Sequence, residues 1–171
     1  MVNGGFFMSY MTMRQIRHQM NISKLEELGC KVVSIQGVMF YVVYEHDDLK
    51  IEYMYHINQD NTYCLERLKP YIVSVGNLET EEMIVDLIKV DIDQFKNAKL
   101  SKNFDDFIDI DKDISKTARV FEDLFLYYNI SKQDMNDIKQ KITEIKELLK
   151  DIRNRSNRVY HYKDPNNLED L

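Results

Sequence analysis

The sequence predicts an α+β fold: an N-terminal helix and an antiparallel β-meander of four to five strands, followed by three helices, the last two forming a long αα-hairpin. Three observations carry this reading. From Lys31 to Leu68 apolar side chains recur at every second residue, the period of strands with one covered face. From Phe107 to Tyr128, and again from Met135 to Ile152, they recur at steps of three and four, which places them on single helical faces. The two periods fill separate blocks of the chain, so a βαβ nucleotide fold is not expected. The organisation that follows is a flexible or marginally helical segment over 1–20, an α/β-meander over 21–76, a helical region packed on it over 77–155, and a polar tail over 156–171.

Ser9 to Met20 fits a helix with Met13, Ile16 and Met20 along one side, too short to stand without docking. The residues before it lack the basic start of a signal peptide, and Met8, Met11 and Met13 offer later starts. Ser23-Lys24-Leu25-Glu26 has the form of a capping box opening a second short helix, with Gly29 as its stop. In the meander, a Gln36-Gly37 turn pairs Ile35 with Val38 and Val33 with Phe40. An Asp47-Asp48 turn pairs Tyr44 with Ile51, Val42 with Tyr53 and Phe40 with Tyr55. A loop of Gln59-Asp60-Asn61 pairs Ile57 with Tyr63 and Tyr55 with Leu65, whereas a two-residue loop sets Tyr53 against Glu66. A slip of one residue exchanges faces, so burial selects the longer loop, and Asn61 tolerates the left-handed conformation it needs.

The opposite face of this meander carries Val32, Met39, Tyr41, Val43 and Met54 beside Lys50, Glu52 and His56. It is too apolar for open water and calls for a helical cover or a partner. Tyr71 to Val75 adds a strand ending at Gly76-Asn77, and Asn77 then caps a helix. That helix starts with Glu79, Glu81 and Glu82, ends with Lys96 and Lys99, and turns Ile84, Leu87, Ile88, Ile92 and Phe95 inward. Asn129-Ile130-Ser131 separates the last two helices, with Ser131 as N-cap and Asp134 facing it. A link this short makes the two seams antiparallel neighbours that face each other. Homodimerisation through the outer edge of the hairpin is expected beside that closed arrangement.

Composition removes several function classes. A net charge of −6 opposes a surface that grips nucleic acid as a whole. No apolar run approaches the ~20 residues that span a bilayer, so no membrane association is expected. Cys30 and Cys64 share no repeated spacing, which fits free thiols in a reducing cytoplasm. Richness in Ile, Lys, Asn and Asp reflects an AT-rich genome, bacterial or phage. Asp111 to Glu122 imitates the oxygen ligands of an EF-hand, but Lys116 stands where that loop needs glycine, and Ile114, Ala118 and Phe121 continue a helix through it. His46 and His56 fall on opposite faces of the meander, so neither a metal nor any other cofactor is expected. No glycine-rich phosphate loop or nucleophile elbow occurs.

Three sets of residues remain as candidates. After the last seam comes Arg153-Asn154-Arg155-Ser156-Asn157-Arg158-Val159-Tyr160-His161-Tyr162. The spacing of Arg155 and His161 resembles the Arg-x4–6-His motif of HEPN-type ribonucleases over about ten residues. That resemblance implies metal-independent RNA cleavage, with His161 moving the proton of a 2′-hydroxyl and Arg155 stabilising the phosphorane. Lys146, Lys150, Arg153, Arg155 and Arg158 form a basic helix end able to meet nucleic acid, the second alternative. The third set gives the preferred reading. Met39, Tyr41, Val43 and Met54, with the acidic block Asp105, Asp106, Asp109, Asp111 and Asp113, suit a non-enzymatic adaptor or inhibitor that covers a macromolecular surface.

Overall fold

The computed structural model describes residues 4–35, 38–165 and 167–168, with side chains for Met13 and from Gln15 onward. Helix α1 (Gly4–Glu27) leads into five strands, β1 (Cys30–Ile35), β2 (Met39–His46), β3 (Leu49–Ile57), β4 (Tyr63–Lys69) and β5 (Val73–Leu78). Helices α2 (Glu81–Lys99), α3 (Phe104–Tyr127) and α4 (Lys132–Arg155) follow. The fold is α+β, with strand order β1-β2-β3-β4-β5 and every neighbouring pair antiparallel. The chain divides into two compact units, Met1–Ile108 and Asp109–Leu171.

In the first unit one face of the sheet supplies the core. Phe40, Val42, Tyr44, Ile51, Tyr53, Tyr55 and Leu65 pack with Leu25 of α1 and with Ile84, Val85, Ile88, Ile92 and Phe95 of α2. Each large side chain so buried contributes roughly 1.5–3 kcal/mol. The β2–β3 and β3–β4 registers are those the alternation predicts: Phe40 opposite Tyr55, Val42 opposite Tyr53, and Tyr55 opposite Leu65. Asp47 and Asn61 hold the positive φ values of the two turns, 51° and 66°.

Four local expectations are corrected. β1 pairs one residue further along β2, Ile35 opposite Met39 and Val33 opposite Tyr41, so Val33 and Ile35 point outward and Val32 packs on the core. Each alternating set of β1 holds two apolar residues, Cys30 and Val32 against Val33 and Ile35, so the pattern could not choose between them. Gln36 and Gly37, where the sequence places that turn, lie outside the described residues. β5 begins later and runs through Gly76 to Leu78, because a shift of register at Leu65/Glu66 is accommodated by glycine at φ 118°. The cap of α2 is Thr80, whose hydroxyl accepts from the Met83 N–H, and not Asn77. Finally, α1 is one continuous helix, and its inner side is His18, Asn21 and Leu25. Met13, Ile16 and Met20 are exposed.

In the second unit, α4 starts as predicted, with Ser131 accepting from the Asp134 N–H at 3.1 Å and donating to its carboxylate at 2.6 Å. The expected closed seam is corrected, since α4 has no buried residue and α3 buries only Phe104 and Ile108, both in the first unit. Phe125, Ile142 and Ile145 remain open to solvent. Two helices alone enclose no interior.

Candidate functional site

The outer face of the sheet is laid out in three rows across the strands. One row runs Ile35, Met39, His56, Cys64; the next Val33, Tyr41, Met54, Glu66; the third Lys31, Val43, Glu52, Lys69. The alternation of strand side chains places every member on one side. Met39, Tyr41, Val43 and Met54 are therefore contiguous, with Val33 and Ile35 extending the patch to the β1 edge. The β1 slip adds these last two, which sequence reasoning had assigned to the core. Both helices of the first unit that pack on the sheet join the single core on its other face. Among the described residues of this unit, no helix covers the patch.

Electrostatics hold the patch flat at one border. Glu52 is only 5% exposed, and its carboxylate takes Lys69 at 2.7 Å and Lys50 at 3.2 Å. Burial works against its charge, yet hydrogen bonds from Lys69, Tyr41 and Lys50 outweigh this and hold its pKa below the ordinary 4.5. Desolvation, followed by that bond to Glu52, pushes the Tyr41 phenol up to about 12. Tyr41 is thus fixed in place with its ring in the centre of the patch. A rigid aromatic flanked by methionines is a common makeup for a protein-binding surface, because it offers area at little entropic cost.

The other predicted residues are less united. Asp105, Asp109 and Asp113 recur every fourth residue along α3, whereas Asp111 falls on a different side of the helix and Asp106 lies between. Lys99 stands 4.0 Å from Asp105, and Lys112 3.5 Å from Asp109. Of the basic set, Arg153 donates to the Leu168 carbonyl at 2.8 Å, while Arg158 donates to the Tyr160 and Lys163 carbonyls and pairs with Asp164 at 2.8 Å. Those two cations tie down the tail. Lys146 and Lys150 stay exposed. Arg155 ends α4 and His161 lies in the irregular segment after it; among the described residues no hydrogen bond or ion pair joins them. Cys30 and Cys64 are free, and burial pushes the Cys30 thiol up to about 11. Among the described residues no group of His, Cys, Asp and Glu could hold a metal, and no helix is long and apolar enough to cross a membrane.

Sequence reasoning missed a polar cluster beside a cleft. His18 Nδ1 lies 2.6 Å from Glu81 Oε1, and the Tyr55 hydroxyl donates to the same oxygen at 3.0 Å. Burial first, then Glu81, pushes the Tyr55 pKa well up. His18 and Glu81 form one wall of a cleft of about 470 Å³, with Phe40, Val38 and Ile57 on its apolar side. His18 and Glu81 are 63 residues apart, and α1 gives no warning beyond an apolar Leu25 at helical spacing from His18.

No protein-family model matches this chain, and neither does any curated protein or solved structure.

Proposed function

We propose that this protein is a non-enzymatic interaction module, an acidic adaptor or inhibitor of bacterial or phage origin that works in the cytoplasm by laying the outer face of its sheet on another protein. The observation that supports this best is the contiguous row of Val33, Tyr41 and Met54, with Met39 and Val43 beside it, on a face that, among the described residues, no helix of its own unit covers. A sheet in water needs polar groups on its second face, and this one carries methionine, tyrosine and valine instead. The partner is a protein with a flat apolar area. The net charge of −6 steers the encounter toward basic partners, and the acidic stripe Asp105, Asp109 and Asp113 along α3 adds to that charge. Two unbonded thiols agree with a reducing compartment.

The test compares capture from host lysate by the wild-type chain and by a Val33→Arg, Met54→Arg variant. Both positions face away from the core, so melting should change by no more than about 0.5 kcal/mol. The reading predicts a protein retained at micromolar concentration by the wild type and lost with the variant. Equal retention by both, or no partner at all, contradicts it.

A further inference from the structure

We infer that the second unit is the dimerisation arm of this protein, two copies of α3 and α4 closing into an antiparallel four-helix bundle. The inference goes beyond the docking face, whose residues it does not use.

The apolar arcs of both helices are wide. At 100° per residue, Ile110, Ile114, Ala118, Phe121, Leu124 and Phe125 span roughly 120° of α3, and Ile142, Ile145, Leu148, Leu149 and Ile152 roughly 120° of α4. A single helix–helix contact uses a narrower stripe; an arc this wide suits a helix with two neighbours, as in a bundle. The α3 arc stays open along its length: Phe121 and Leu124 are 37% and 40% exposed, and Phe125, Ile110 and Ile114 are 57%, 60% and 62% exposed. The side chains left open amount to on the order of 800 Å² per chain, the contribution of each partner to a stable interface.

Charge identifies the occupant as a second copy. α3 carries seven acidic and three basic residues, and α4 seven basic and five acidic. Asp111 and Glu122 border one side of the α3 arc; Lys139, Lys146 and Lys150 border one side of the α4 arc. Among the described residues no ion pair joins α3 to α4: the pairs on these helices from Asp109 onward are Lys112 with Asp109 and Lys141 with Glu144, each within one helix. The acidic border of one chain therefore has a matching basic border on its copy when α3 lies beside the partner's α4. A two-fold axis repeats that match. Setting α3 beside a second α3 opposes acid to acid instead.

Light scattering coupled to gel filtration tests this on the full chain. Wild type at micromolar concentration should show twice the chain mass of 20.5 kDa, and Phe125→Glu with Ile145→Glu should show the chain mass with unchanged tyrosine near-ultraviolet dichroism from the sheet. A second series guards against a variant that fails to fold. Lys139→Glu with Lys146→Glu should weaken dimerisation about tenfold, and adding Asp111→Lys with Glu122→Lys should restore it. A wild-type mass of 20.5 kDa throughout the micromolar range overturns the inference. So does a dimer indifferent to both series. Loss of dimerisation on Val33→Arg, Met54→Arg, with the α3–α4 variants still dimeric, assigns self-association to the sheet face instead.

Discussion

Glu52 and Arg67 show how single residues decide what this fold tolerates. Glu52 is nearly buried on the outer face, and its folded pKa is depressed below 4.5. A depressed carboxylate contributes stability above its unfolded pKa and loses it as pH falls through the folded value. The wild type should therefore lose stability below about pH 4.5 more steeply than Glu52→Gln, which thermal melts across that range will check. Arg67 is 6% exposed and donates through one nitrogen to both oxygens of Asp91, at 2.7 and 3.0 Å. Its guanidinium also stacks between Tyr71 and Phe95, at 4.4 and 4.8 Å, and Tyr53 donates to the same carboxylate at 2.9 Å. Asp91→Ala leaves that cation buried and unpaired. A loss of about 3 kcal/mol in denaturant unfolding is expected, and a change under about 0.5 kcal/mol would show that water reaches Arg67 freely.

Among the elements, legibility followed contrast. The β2–β3–β4 registers could be read because the Asp47-Asp48 turn fixes the first pairing, and only the three-residue loop at Gln59-Asp60-Asn61 sets Tyr55 against Leu65 and keeps Tyr53 from Glu66. β1 could not, since Cys30 and Val32 compete with Val33 and Ile35 on equal terms. α2 was readable from its inner stripe and its terminal charges, and only its cap was misplaced. On α1 the eye is drawn to Met13, Ile16 and Met20, yet His18 turns inward because buried Glu81 offers it a partner that no local pattern displays, and Asn21 is buried beside it on the same side of the helix. Ile88→Ala should cost about 3 kcal/mol, as truncation of a fully buried α2 residue does. Ile142→Ala, on the exposed α4, should cost under about 1 kcal/mol in solutions dilute enough to hold the chain as a monomer. Equal losses at the two sites would mean that the α4 seam is closed within the chain.

At the scale of the whole molecule, each unit carries more apolar surface than it covers by itself. The first unit spends one sheet face on its core and leaves the other to Met39, Tyr41, Val43 and Met54. The second holds two amphipathic helices with open seams. Both features were visible as periodicity, but periodicity says only that a face must be covered and not by what. The proposed dimerisation through the second unit predicts a melting temperature that rises with protein concentration, because association stabilises the folded chain by mass action. The docking claim is tested most directly by methionine oxidation footprinting of the chain alone and with its captured partner. Met39 and Met54 should be protected in the complex, while Met20 and Met83, exposed on α1 and α2, oxidise as in the free protein. Protection of Met20 or Met83, with Met39 and Met54 oxidised as before, would place the partner on the helices and contradict the account.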